Sequence, residues 1–379
     1  MDIGEKSINL HRKLKGKIEI RSKVKLNTRN ALSLAYTPGV GAVSTAISKN
    51  ENQVWELTNR GNSVAIVSDG TAVLGLGNIG PQAALPVMEG KAAIFKEFAG
   101  IDAWPLCIDT VVADEIVKFC LDIAPSFGGI NLEDISAPRC FEILERLQQK
   151  SPIAVFHDDQ DGTAIAILAA LINACRATKK VLGGLRVVIN GAGAAGIATA
   201  RLLLVRGVKD LILIDSAGAI YAGRPGLNPF KRELAAKTNR SKVKGRLEEA
   251  LVKADVFIGL SKAGLLKAAL VKTMNPQPII FALANPVPEI MPDEAIRSGA
   301  AVVGTGRSDF PNQINNALVF PGIFRGLLDG WKKTVTVRMK LAAAQAVADT
   351  VKKPACLKIL PDIKDKKVVE AVSRAVAQG

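Results

Sequence analysis

"VVINGAGAAGIATARLLL", residues 187–204, decides how the rest of the chain is read. A short apolar run ends, Gly191, Gly193 and Gly196 follow at GxGxxG spacing, and an apolar helical pattern begins. The first glycine permits a tight turn, the second lets backbone approach a pyrophosphate, and the third lets helix pack on strand. The anion would sit on the helix N-terminus, lined by Gly191, Ala192, Gly193, Ala194, Ala195 and Gly196. The plain alternative is that these glycines make only a close helix–sheet contact. Against it, the next apolar run, "LILID" (211–215), ends in Asp215. That acid lies about twenty residues past the motif, where a ribose hydroxyl needs an acceptor. A carboxylate there repels a 2′-phosphate, and "DSAGAI" supplies no base immediately after it. Arg224 is the nearest candidate, further along the loop. NAD is the expected cofactor, with NADP possible.

Working outward, "LRVVIN" (185–190), "LILID", "ADVFIG" (254–259), "PIIFALAN" (278–285) and "AVVGTG" (301–306) are continuous apolar runs separated by helical patterns. This is the signature of a parallel sheet covered on both faces. Upstream, "SVAIVSD" (63–69), "IDAWPLCID" (101–109) and "GGINLED" (128–134) read as buried strands. "PQAALPVMEGKAAIFKEFAG" and "VVADEIVKFCLDI" carry helical periodicity between them. "SAPRCFEILERLQQK" reads as a helix with Ser136 as N-cap and Pro138 in its first turn. The expected class is α/β: an N-terminal α/β catalytic domain over 1–155, then a Rossmann-like, doubly wound parallel-sheet dinucleotide-binding domain with C-terminal helices over 156–379. The helix from Thr163 would bridge the two. The tail from Val335 reads as helix and is expected to return to the first domain.

With 48% hydrophobic and 22% charged residues, the composition is that of a soluble globular protein. No apolar run of signal-peptide length opens the chain, and the longest apolar stretch, from Thr163, is too short to span a bilayer and contains Asn173. The expectation is a cytoplasmic protein with no membrane partner. The net charge of +15 raises nucleic acid as a rival partner. Aromatic residues make up only 4%, and no recognised binding module is present, so a solvated face or a field for small anions is preferred. Five cysteines without a CxxC pair read as buried reduced thiols, and His11 and His157 are the only imidazoles. A His/Cys zinc site is therefore excluded, and any metal must be a hard cation on carboxylates, Mg²⁺ or Mn²⁺.

Two acidic clusters answer that description. "INLED" ends a strand with Glu133 and Asp134, and "VFHDDQDG" ends another with Asp158 and Asp159, followed by Asp161. If both strands run toward one cleft, their acids converge at the carboxyl ends, where α/β proteins build sites. Asp158 or Asp161 as a mere cap of the helix from Gly162 is the competing reading.

"YTPGVG" (36–41), "SDGTAVLGLGNIGPQAALPVMEGKAAIFKEFAGIDAWPLCID" (68–109), "LEDISAPRCFEILERL" (132–147), "FHDDQDGTA" (156–164), "GAGAAG" (191–196), "FALANPVPEI" (281–290) and "FPNQINNALVFPGIFRG" (310–326) together resemble, in order, the short bacterial and archaeal form of malic enzyme. The resemblance implies divalent-metal-dependent oxidative decarboxylation of L-malate to pyruvate and CO₂ with reduction of NAD(P)⁺. It also implies oxaloacetate decarboxylation and a homodimer with the N-terminal segment in its interface. By the same resemblance, Lys91 is the general base and Tyr36 the general acid. Glu133, Asp134 and Asp159 are the metal ligands, with Asp158 adjacent to them. Asn285 and Asn316 hold substrate, Asn285 also lying near the nicotinamide. Lysine acts as a base only when neutral, so its pKa is expected to fall from about 10.4 toward about 7–8, driven by burial and a neighbouring cation.

Two departures are visible. Thr71 and Ala72 stand where larger family members carry a carboxylate-binding arginine, which leaves Arg307 or a partner-subunit residue for that task. Asp161 stands where a histidine is expected. The rival readings are a malolactic-type or oxaloacetate decarboxylase that uses NAD without net reduction, and a basic nucleic-acid-binding protein on a Rossmann-like scaffold.

Overall fold

Short, mostly apolar runs, the majority of them buried on both faces, form two sheets that are parallel but for one short edge strand. The computed structural model describes residues 2–379. Strands β1 (Ser63–Ser68), β2 (Asp102–Cys107), β3 (Gly129–Leu132) and β4 (Ala154–His157) lie in the order β2-β1-β3-β4, all parallel. Leu132 pairs with His157. Glu133 and Asp158, one residue on, therefore leave neighbouring strands at the same level.

The second sheet holds β5 (Arg186–Asn190), β6 (Asp210–Asp215), β7 (Gly218–Ala219), β8 (Val256–Gly259), β9 (Ile279–Ala282) and β10 (Val302–Thr305), in the order β10-β9-β8-β5-β6-β7. All pairs are parallel except that of β7, which turns back antiparallel on β6. Two residues are too short to show a period, so β7 left no trace in the pattern. The sheet reverses its winding beside β5, and the carboxyl ends there open on the glycine turn.

The chain is α/β and doubly wound. The buried helix Thr163–Thr178 packs against Ala194–Val205 on one side and Val337–Thr350 on the other. Asn173, the odd residue of that apolar stretch, donates its amide to the carbonyls of Ala348 (2.8 Å) and Ile359 (2.9 Å), clipping the C-terminal segment in place. After β10 the chain returns to the first sheet. In helix Phe320–Asp329, the Phe320 and Phe324 rings lie 4.7 and 5.3 Å from that of Phe95, and Phe324 also meets Phe156 at 5.9 Å. Helix Lys366–Ala377 packs on this helix in turn. A domain division at 155/156 stays a proposal, since β4 straddles it.

Two expectations are corrected. The helix after Ser136 begins at Arg139 with Pro138 in the cap position. Ser136 does not cap it, and its amide instead donates to Thr71 Oγ1 at 3.0 Å. All five cysteines are free, but Cys107 and Cys356 are half-buried rather than buried. Among the described residues no helix is long and apolar enough to cross a membrane. Helices Ile3–Leu14, Arg29–Ala35 and Val40–Lys49 bury no residue at all, and they leave Ile3, Leu34 and Tyr36 exposed.

Candidate active site

Glu133 and Asp134 follow β3, and Asp158 and Asp159 open a π-helical turn, Asp158–Gly162, that follows β4. Neither this turn nor the helix after it has a side-chain cap bond, so the capping reading of these acids fails. Single π turns recur at functional sites because they re-aim side chains. Here the turn brings oxygens of Glu133, Asp134 and Asp159 within 4.8 Å of one another. Asp134 sits in the left-handed region at φ 55°, held by its N–H to Asp159 Oδ2 (2.8 Å) and by its carbonyl accepting from Ala72 N–H (2.9 Å). Asn131 donates to Glu133 Oε2 at 2.9 Å and fixes that carboxylate's plane.

Three carboxylates so close, largely out of water, carry more negative charge than their surroundings stabilise. Burial, then Asp159 and Glu133, push Asp134 up to about 9. Burial is also the main cause that pushes Glu133 up to about 7 and Asp159 up to about 6. A hard divalent cation among these oxygens removes the repulsion, and oxygen is the donor it prefers. The residues fit such an ion.

Lys91 points inward from helix Gly80–Ala99 and is buried. Its Nζ lies 2.6 Å from Glu133 Oε1, donates to Asp158 Oδ2, and sits 4.3 Å from the centre of the Phe320 ring. The expected lowering of its pKa is not what this arrangement produces. Burial pulls the ammonium down, but Asp158, Glu133 and Asp159 outweigh it, and the group is held above its ordinary value. Without a cation to engage them, the carboxylates stabilise the charge. Asp158, fully buried, is itself pushed up to about 7 by burial, with Lys91 opposing.

Gly162 decides whether Asp158 fits at all: a Cβ there would lie 1.7 Å from Asp158 Oδ1. Gly162→Ala is therefore expected to cost about 3 kcal/mol or more, or to expel Asp158 from its place. The thermal unfolding midpoint would fall. An unchanged variant would mean the turn adapts freely.

The other expected residues divide. Asn316 begins the short 3₁₀ turn Asn316–Leu318, and its Cβ lies 3.3 Å from the position a Gly162 Cβ would take, beside the acids. Asn285 follows β9 and faces the first domain, where its carbonyl lies 3.2 Å from a Cβ built on Gly75. Tyr36 stands 66% exposed at the end of helix Arg29–Ala35 and makes no hydrogen bond or ring contact with Lys91. Arg307 is tied to Asp309 (2.6 Å) and to the carbonyl of Pro286 (2.9 Å), which places it at the rim beside Asn285.

In the glycine turn, φ is 124° at Gly191, and a Cβ on Gly196 would lie 1.8 Å from the Gly191 carbonyl. Space around Gly193 is open, which is what approach of an anion needs. Asp215 lies alongside, since Gly191 N–H donates to the Ile214 carbonyl at 2.9 Å.

Sequence reasoning missed several neighbours. Arg139 donates to Asp69 and, at 2.5 Å, to Thr71 Oγ1, bracing the loop that holds Asp134. Lys340 balances Asp161 at 2.7 Å, which explains how an acid is tolerated in that position. His157 is fully buried, and burial drives it down to about 4, so it is neutral. Arg139 and His157 lie inside stretches that carry the resemblance, but nothing in their spacing shows what they touch. They meet the site only through packing.

Comparison with known proteins follows the same outline. Family models described as "Malic enzyme, N-terminal domain" and "Malic enzyme, NAD binding domain" match residues 15–148 in two overlapping segments (15–113 and 110–148) and residues 160–379. The chain is 52% identical to a bifunctional malic/malolactic enzyme of Bacillus subtilis, covering 100% of this chain and 93% of that one. It is 51% identical to an NAD-dependent malic enzyme of Geobacillus stearothermophilus, covering 100% and 79%. Its fold superposes on the crystal structure of an NAD-dependent malic enzyme from Thermotoga maritima with a TM-score of 0.95 at 47% identity, over 100% and 99% of the two chains.

Proposed function

The chain belongs to the malic enzyme family, and on that premise we propose how its residues work. It oxidatively decarboxylates L-malate to pyruvate and CO₂, with a nicotinamide dinucleotide taking the hydride. The observation that carries the site assignment is the buried contact of Lys91 with Glu133 and Asp158 at the edge of a three-carboxylate cluster.

Glu133, Asp134 and Asp159 would hold Mg²⁺ or Mn²⁺. When bound, the ion supplies Lewis-acid stabilisation of negative charge developing on the substrate oxygens. Lys91 is the base for the C2 hydroxyl proton. To act so it must first lose its own proton, for which Asp158 Oδ2, the acceptor of its hydrogen bond, is the adjacent group. A cation engaging Glu133 and Asp159 would withdraw part of the negative charge that holds the ammonium protonated and so favour that loss. Asn285 and Asn316 offer amides to the substrate, and Arg307 at the rim is the cation available for a carboxylate. Closure between the sheets would keep water out during hydride transfer. A cytoplasmic location is supported by five unpaired cysteines.

Tyr36 enters this scheme only through a second copy of the chain. A homodimer burying the apolar N-terminal face, where Leu34 and Tyr36 stand exposed, would carry Tyr36 to the partner's Lys91. Mixing Lys91→Ala and Tyr36→Phe chains, each inactive alone, is then expected to restore about a quarter of wild-type activity, since half the dimers form with one intact site of two. No recovery after subunit exchange would assign Tyr36 to its own chain or remove it from catalysis.

The primary test is NADH absorbance on adding malate and Mn²⁺, with oxaloacetate decarboxylation followed in parallel. A second reading has specific support in the bifunctional malic/malolactic relative. Lactate formed without net NADH would select it over malate oxidation.

A further inference from the structure

We propose that Glu289 is a positioning residue for hydride transfer: its buried carboxylate ties the loop after β8 to the loop after β9 and so fixes the floor on which the nicotinamide lies. The proposal rests on the reading of the glycine turn as the pyrophosphate site. Asp215, on β6, takes the adenosine end to one side of that turn, so the nicotinamide end lies to the other, over β8 and β9. Both strands end there, and Asn285 follows β9 directly into the crevice. The loop after β8 also reaches the glycine turn, where a Cβ on Gly191 would lie 2.4 Å from the Leu260 carbonyl oxygen.

Glu289 is fully buried in the turn between β9 and helix Pro292–Arg297. Its Oε1 accepts from the N–H of Ser261, beyond β8, at 3.1 Å, and its Oε2 from the N–H of Ala284, beyond β9, at 3.0 Å. Among the described residues it forms no ion pair: burial pushes the carboxyl up, and only backbone N–H groups, Ala284 first and then Ser261, oppose that. If the side chain merely filled space, an apolar one of similar size would be cheaper to bury. A carboxylate instead offers two acceptor oxygens in one plane, and here each takes a donor from a different loop. An amide cannot do so, because its NH₂ would face an N–H. The backbone is held separately, since Leu266 N–H donates to the Glu289 carbonyl at 3.0 Å and Gly264 N–H to that of Pro288 at 3.1 Å. Changing the side chain therefore tests the carboxylate alone. Room for it depends on Gly259, the last residue of β8, where a Cβ would lie 2.3 Å from the Glu289 carboxyl carbon.

The test titrates the whole protein by calorimetry, without malate or metal, using NADH and ADP-ribose. The second probe carries the adenosine and the pyrophosphate but no nicotinamide. Glu289→Gln is expected to weaken NADH about fivefold or more and to leave ADP-ribose within about twofold, the cost of one misplaced hydrogen bond beneath the ring. Gly259→Ala, which expels the carboxylate while leaving it chemically intact, should give the same split. Equal weakening of both probes by Glu289→Gln, or unchanged NADH binding, overturns the proposal. With malate deuterated at C2, Glu289→Gln should show a larger isotope effect on kcat than wild type, because a misplaced ring slows hydride transfer itself. A lowered kcat with an unchanged isotope effect counts against the positioning role. If wild type forms no NADH from malate, the proposed reaction fails, and the two titrations still judge the tie between the loops.

Discussion

Lys91→Arg is expected to lower kcat for malate oxidation by about 10²–10⁴-fold while the fold and NADH binding survive. The reasoning starts from burial. Lys91 is the counter-ion of Glu133 and Asp158 inside the first domain. Removing its charge outright would confuse loss of a base with loss of an ion pair, because two buried carboxylates would be left to take up protons. Arginine keeps a positive charge there, yet it cannot surrender a proton at any accessible pH. The variant therefore separates the two roles. Retained turnover by Lys91→Arg would mean that Lys91 holds charge and something else takes the hydroxyl proton. Steady-state kinetics with malate, alongside fluorescence titration with NADH, reads both quantities.

The second large effect belongs to Asp134→Asn. Removing one of three anionic donors is expected to weaken Mn²⁺ binding by about a hundredfold or more, measured by the free-ion electron paramagnetic resonance signal. The metal-free protein should move the other way. Asp134 is pushed up to about 9 from an ordinary 3.8, so its ionisation opposes folding. Stability tied to this group is fully present below about pH 4 and is lost as pH rises toward about 9. In chelator, the thermal midpoint of wild type should fall between pH 5 and 8.5. Asp134→Asn should flatten that fall, and Mn²⁺ should restore wild type but not the variant. A wild-type midpoint independent of pH and metal would show that the three carboxylates do not share a site.

Much of the fold was legible because it rests on local regularities. Buried parallel strands need continuous apolar runs, and the runs at 63–69, 185–190 and 211–215 lie where β1, β5 and β6 form. Gly191 and Gly196 were readable because close backbone approach excludes every side chain, whatever surrounds it. The convergence of Glu133 with Asp158 follows from parallel strands in register, with Leu132 against His157. Ser136 was misread because the helix begins at Arg139, with Pro138 rather than Ser136 in the cap position.

The sequence by itself determined the order of the longer buried strands, the glycine turn, and the four acids at two strand ends, all consequences of short-range periodicity and steric limits. Tertiary structure alone decided the charge on Lys91, which depends on Asp158, 67 residues away. It also decided the pairing of Asp215 with Arg224 and Lys231, and the exposure of Tyr36. The physical reason is common to all three. Electrostatic environment is set by whatever packing brings within a few ångströms, and the spacing of residues along a chain carries no record of that.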